Sequence, residues 1–459
     1  MFFKVPGVAK ILGSTIVLAA LGVGIVSCGG SKSTSNQHKV SGLKFRAFVS
    51  NPLFPSGVGN APVINIVNAL QDIVSFSTIG LLGNSDQPGV MVVSPDLSRT
   101  LVFSPTGNTI SVVDNRTETI ASITGSTTNV PTITLPGFSE SMFIAKDNVS
   151  AYAAVPSAPV TGQAPGAVIA MDLGTGGITA TIPVPAAHFV VGSPDGTHIL
   201  VFSDNSDALT VISTALLGTS NQVTSTVTGF DRPVWAIFFD NSDAYVFNCG
   251  AECGGSSAGV TTYTLGDLGP GALTPLSGAS YALLSGGKLY VAGTPPNTRC
   301  PSGTTATTCG TLNIVNVGSL TRTNSSPILI TDGYHDRMQM GANGQLFIGA
   351  HSCTSINIPG GEVRGCLSIF NTLNSKVVVP PQTGDATGIQ PVTGRTVVYV
   401  CQGGAFQIYD TTTDKLFVPP FNTNNNLGIT QTDQIVGQSY DVKLVDPPTP
   451  CSGSATCLE

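Results

Sequence analysis

Side chains able to act as acid, base or nucleophile are scarce in this 459-residue chain, where only 10% of residues are charged. A typical domain carries about 25%. Three groups of residues could do chemistry. The first is Glu140, His188, Arg232 and the run His335-Asp336-Arg337. Imidazole, guanidinium and carboxylate together bind anions or move protons near neutral pH. These residues are far apart in sequence, so only a fold can gather them. The second is Gly255-Ser256-Ser257-Ala258-Gly259, which matches the G-x-S-x-G nucleophile pattern. That pattern needs a strained strand-to-helix turn. No helix follows here, and the segment reads as a Gly/Ser loop. The third is Asp204-Asn205-Ser206-Asp207 and Asp240-Asn241-Ser242-Asp243. Both lack the spacing and distant Glu of a calcium loop and read as tight turns.

Cysteines form a fourth set. Nine follow Cys28, and their spacing pairs Cys249 with Cys253, Cys300 with Cys309, Cys353 with Cys366, and Cys451 with Cys457. Cys401 is left over, as a buried thiol or with an unexpected partner. Zinc sites use short C-x-x-C or Cys/His spacings, and none is present, so no metal is expected.

The first residues carry their own chemistry. Lys4 and Lys10 precede an uncharged, largely apolar run at 11–26, which ends in Ile25-Val26-Ser27-Cys28. A basic start followed by a short apolar run reads as a signal peptide. The last four residues resemble a bacterial lipobox. That resemblance implies removal of residues 1–27 and a lipid on the Cys28 thiol. Two acyl chains hold a protein on a membrane that it does not span. Gly29, where an aspartate would imply inner-membrane retention, leans towards the outer membrane of the bacterial envelope. Residues 28–42, rich in Ser, Lys, Thr, Asn and Gln, form a flexible tether.

The processed chain would hold 17 basic and 26 acidic residues without a basic cluster, which excludes a nucleic-acid partner. With 53 Gly, 31 Pro and 41% hydrophobic residues, the composition fits an exported β-rich protein and excludes disorder. Apolar residues come in short runs bounded by Gly, Pro, Asn or Asp, such as 89–93, 198–202 and 396–400. Those runs are strand signatures.

The runs repeat. Residues 190–212 and 92–114 both read strand, Ser-Pro-Asp turn, strand, polar turn, strand, with a fourth strand such as 119–123 or 178–182. These units resemble the YVTN-type β-propeller repeats, which are similar to WD-repeat blades. The resemblance spans nearly all of residues 43–446 and implies an all-β propeller of four-stranded blades. Second-strand centres fall near Phe48, Val102, Ala153, Val201, Val246, Tyr290, Phe347 and Tyr399, spaced 44 to 57 residues apart. Eight blades are expected, with seven as the alternative if 43–80 is a cap. The first copy lacks a first strand and residues 434–445 hold a spare one, so the ring should close there. Residues 447–459 form a tail with the Cys451–Cys457 pair.

The propeller resemblance also places the chemistry. First strands line a central channel, and loops entering them share a face with second-to-third-strand loops. Glu140, His188, Arg232, His335, Asp336 and Arg337 should precede first strands and meet at the channel mouth. They form a binding or acid–base cluster there, or a plain solvated rim. The first three cysteine pairs fall in second-to-third-strand inserts of blades 5, 6 and 7, on the same face. Two functions follow. One is a non-enzymatic scaffold that presents this face to an envelope protein or glycan. The other is an enzyme similar to the lactonase-like propellers, with His335 as the residue to test. No catalytic set and no cofactor are assigned. A haem or quinone enzyme is disfavoured by one Trp and no haem-attachment motif.

Overall fold

Tight turns cut this chain into strands too short to stand alone. In the turn after 190–193, Ser193 Oγ donates to Asp195 Oδ1 at 2.6 Å, and the same oxygen accepts from Thr197 N at 3.0 Å. Gly196 then takes φ +76°, the left-handed region that glycine enters without strain. The computed structural model describes residues 40–448, apart from 57–58, 82–86, 122–131, 220–222, 301–307, 355, 359–361 and 417–434. The signal peptide, Cys28, most of the tether and the Cys451–Cys457 pair lie outside the described residues. Among those residues, the helical segments are two 3-10 turns, Thr214–Leu216 and Gly250–Cys253.

The strands assemble into eight four-stranded antiparallel blades arranged in a ring, an eight-bladed β-propeller. We number blades along the chain. Their innermost strands are Val442–Leu444, Met91–Val93, Ser141–Ile144, Ala187–Gly192, Pro233–Phe238, Tyr281–Ser285, Tyr334–Met340 and Ala386–Pro391. Blade 1 takes its inner strand from the far end of the chain: Val442–Leu444 pairs with Arg46–Ser56 in the register Val49↔Val442. The spare C-terminal strand thus closes the ring and covers a sheet edge. Arg46 reinforces the closure, with Nε and a terminal nitrogen on the two Asp446 oxygens at 2.7 and 2.6 Å and another nitrogen on Glu118 at 2.8 Å. Burial works against the Arg46 charge, but these carboxylates outweigh it and raise its pKa.

The core lies between blades. Phe48, Val102, Ala153, Val201, Val246, Phe347 and Tyr399 have no exposed surface, as second-strand centres should. Each face packs on its neighbour; Leu200 and Phe202 of blade 4, for example, meet Ala236 and Val246 of blade 5. Fully burying one such large side chain is worth about 1.5–3 kcal/mol.

Candidate functional site

The inner strands surround a cavity of about 380 Å³ on the ring axis, lined from all eight blades. Four of these strands share a local irregularity. Their pairing slips between Ala187 and Phe189, Pro233 and Trp235, His335 and Arg337, and Ala386 and Gly388. The extra residue at each slip is His188, Val234, Asp336 or Thr387. A β-bulge turns its side chain off the regular alternation, which is a recurrent device beside binding sites. Here it presents an imidazole and a carboxylate at the mouth.

His188 joins blades 3 and 4. Its Nδ1 lies 2.6 Å from Asp204 Oδ1 and its Nε2 lies 3.1 Å from Glu140 Oε2. Burial disfavours the charged ring, but the two carboxylates outweigh it and raise the His188 pKa. The hydrogen bond from His188 lowers that of Glu140 against its own burial. Across the channel, His351 joins blades 7 and 8. Its Nε2 lies 2.9 Å from Asp336 Oδ2, and its Nδ1 lies 3.7 Å from Asp385. Arg337 sits 3.0 Å from the same Asp336 oxygen, and its Nε donates to the Thr387 carbonyl at 3.0 Å. Burial of Asp336 would raise its pKa, but Arg337 and His351 hold it below the usual range. The same carboxylate raises the pKa of His351. Glu140 and Asp336 both line the axial cavity, so the two clusters share one channel.

Aromatic residues fill the arc between them. Phe189, Trp235 and Tyr281 line the cavity from blades 4, 5 and 6. Each pairs with the penultimate residue of its blade's second strand, namely Phe202, Phe247 and Ala292. They therefore stand at one level of the ring. Ring centroids are 6.1 Å apart for Phe189 and Trp235, and 5.0 Å for Trp235 and Tyr281. Burial pushes the Tyr281 hydroxyl pKa up to about 12. A side pocket of about 320 Å³ adjoins the cavity, sharing Phe189, Val234 and Tyr334 with it.

Several expected positions shift. His188 and the run 335–337 lie within first strands rather than before them, while Glu140 and Arg232 precede theirs as read. His335 is not at the mouth. It is fully buried between blades 6 and 7, where its Nε2 donates to the Thr331 carbonyl at 3.1 Å. A Cβ on Gly310 would come within 2.7 Å of its ring. Burial lowers its pKa to about 4, so it is a neutral core residue. The reason is the bulge: it sends Asp336 outward and leaves His335 facing the neighbouring blade. Arg232 stands on the rim of the side pocket, 3.7 Å from Asp207. The G-x-S-x-G segment is a loop as expected; Ser256 and Ser257 both donate their backbone N–H to Asp231, which fastens it.

His351, Asp204, Asp385 and the aromatic arc did not emerge from the sequence. Asp204 was visible as a turn residue, and its turn belongs to the face of the first-strand entries. His351 and Asp385 carried no signal, because each ends or precedes a strand in a divergent blade.

The three inserts are closed by disulfides Cys249–Cys253, Cys300–Cys309 and Cys353–Cys366, as their spacing implied. Cys401 is a buried free thiol. The inserts are also tied to one another. Glu252 in blade 5 accepts from Thr294 N in blade 6 at 2.7 Å, and Thr294 Oγ1 donates to the Gly333 carbonyl entering blade 7 at 2.7 Å. Ser352 N then donates to Asp385 before blade 8 at 2.8 Å. Among the described residues, no three His, Cys, Asp or Glu side chains group as a metal ion requires.

No protein-family model and no curated protein matches the sequence. Solved structures do match. Hydrazine synthase from Kuenenia stuttgartiensis is 16% identical with a TM-score of 0.50, over 73% of this chain and 98% of that one. Apo AztD from Citrobacter koseri is 12% identical with a TM-score of 0.50, over 87% and 98%. A putative 6-phosphogluconolactonase from Bacteroides uniformis is 12% identical with a TM-score of 0.47, over 87% and 99%. The likeness is one of fold. Propellers host many unrelated activities, so function must be argued from the site.

Proposed function

We propose that this protein is a lipid-anchored binding propeller of the bacterial envelope, and that its working surface is the face bearing the stapled inserts and the channel mouth. The observation that carries the reading is a set of contacts between neighbouring loops: Glu252 with Thr294, Thr294 with Gly333, Thr354 N with the adjacent Asp332 at 2.8 Å, and Ser352 with Asp385. It ties together the described bases of three inserts from consecutive blades, which would let them act as one rim. Preorganised loops lose less entropy when a partner binds. The partner would be an envelope protein or glycan. The lipobox ending at Cys28 supplies the anchor, with the outer membrane favoured, and tethering at a surface raises the effective concentration of weak contacts.

The test compares wild type with a folded variant whose three inserts are cut to tight turns, each used to capture components of an envelope extract. The variant should lose partners that the wild type retains. Equal recovery by both would sink the reading. In the same cells, Cys28→Ala should move the protein from membrane to soluble fractions.

An acid–base role keeps one specific support, since His188 is held between two carboxylates at an open mouth. Lactone turnover lost in His188→Ala would favour the lactonase-like alternative. His335→Ala, buried away from the mouth, is the wrong variant for that question.

A further inference from the structure

We infer that the axial cavity is a saccharide-binding site, in which the arc of Phe189, Trp235 and Tyr281 packs against a sugar ring while Glu140, Asp336 and Gln390 hydrogen-bond its hydroxyls. The inference deepens the binding-propeller reading and rests on it for its setting. Three features single out this class of ligand. The first is size and make-up: a cavity of about 380 Å³ combines aromatic faces with a few convergent polar groups. That is the usual form of a small-molecule site.

The second is charge. Each acid that lines the cavity is already paired with a basic side chain: Glu140 with His188, Asp336 with Arg337 and His351, and Asp441 with Lys443 at 2.9 Å. Little net field is left to hold an ion. What remains is hydrogen-bonding capacity. Asp336 Oδ1 has no hydrogen-bond partner, although the residue lines the cavity. A buried acceptor left unpaired costs free energy that a donor on a ligand would recover.

The third is the arrangement. Three aromatic side chains stand at one level on three consecutive blades, and Glu140, Asp336 and Gln390 line the same cavity from blades 3, 7 and 8, with Gln390 deeper along its strand. A sugar ring has the matching surface: an apolar C–H face bordered by hydroxyls that both donate and accept. A simple cation would match the rings but not the paired charges, and an apolar ligand would leave the polar groups unmet.

Trp235 is the one tryptophan of the chain and stands in the arc, so its fluorescence reports occupancy directly. Full-length protein would be titrated with glucose, N-acetylglucosamine, their β-1,4-linked dimers and hexamers, and spermidine as a cationic control, with calorimetry in parallel. At least one sugar should give a saturable change, and Tyr281→Ala should weaken it about tenfold, in keeping with loss of one aromatic contact. Asp336→Asn should weaken it also, while Phe76→Ser, on a ring that is 98% exposed at an outer strand, should not. If Tyr281→Ala fails to fold by circular dichroism, Phe189→Leu replaces it. Binding of dimers alone would indicate a free sugar, and stronger binding of hexamers a glycan chain. No saturable change with any sugar, or a change with spermidine only, overturns the inference. Extract capture that still depends on the inserts would then leave the binding-face reading standing.

Discussion

Glu252 is the most informative single residue to change. It sits at the blade 5 staple, accepts one backbone hydrogen bond from Thr294, and packs against Gly293, where a Cβ would lie 2.8 Å from its carboxylate. Burial raises its pKa from 4.5 to about 7, against the pull of that one hydrogen bond. A carboxyl whose folded pKa is raised stabilises the fold only while protonated. Its contribution is complete below pH 4.5 and declines as pH rises through about 7. At roughly 1.36 kcal/mol per pKa unit, the ceiling is about 3 kcal/mol. The side chain is partly reached by solvent, which reduces the expected effect to about 1–2 kcal/mol. Glu252→Gln mimics the protonated acid and still accepts from Thr294 N. The variant should therefore match wild type at pH 4 and be more stable at pH 8. A propeller of this size unfolds with an entropy near 2 cal/mol/K per residue, so the gain at pH 8 should be about 1–2 °C in Tm. Paired calorimetric scans from pH 4 to pH 8 measure it. A Tm difference that stays flat across that range, or grows towards acid, would refute the reasoning.

Other consequences can be measured alongside. His188→Ala should cost about 1 kcal/mol at pH 6 and less at pH 8, since the raised pKa of His188 gives a contribution that fades as pH climbs through it; denaturant melts at the two pH values decide. Asp446→Ala leaves Arg46 half-paired at the ring closure and should cost about 3 kcal/mol or more, whereas deleting residues 434–445 should destabilise the whole ring; a truncated protein that melts like wild type would disprove C-terminal closure. Non-reducing peptide mapping should recover Cys249–Cys253, Cys300–Cys309 and Cys353–Cys366, and removing the last of these should cost about 2–3 kcal/mol. Cys401, fully buried with its thiol pKa raised by burial, should resist thiol reagents until the protein unfolds.

Architecture was legible because it is written in short-range chemistry. Pro, Asp and Gly at turns and apolar strand centres recur at blade spacing, and each repeats a local decision the backbone must make. All eight second-strand centres read from the chain, Phe48 to Tyr399, are second strands of blades. The spare strand at 434–445 was legible for the same reason: an odd number of strands leaves an edge that must be covered. The site was less legible. Glu140, His188, Asp336 and Arg337 do meet at the mouth, but His335 does not. The difference is one residue of register, and a β-bulge makes that shift without any marker in the side chains it moves. His351 meets Asp336 across the bulge of its own blade, and Asp385 approaches His351 from the next blade, pairings set by register and packing that neither segment shows alone.

The same bulges explain why the mouth is built from paired charges. A regular inner strand alternates its side chains between its two neighbouring blades; in blade 4, Val190 packs towards blade 3 and Phe189 and Val191 towards blade 5. Adding one residue near the start of the strand places two successive side chains outside that alternation, next to the loops entering the strand. In blade 4 this brings His188 against Asp204 in its own blade and Glu140 in blade 3; in blade 7 it brings Asp336 against His351 in its own blade, with Asp385 of blade 8 on the far side of that ring. Each bulge thus binds one blade to the next at the place where the channel opens. Such pairs add modest stability, since they are partly solvated. Their larger effect is positional. They fix the orientation of polar side chains that stand beside the aromatic arc in the channel.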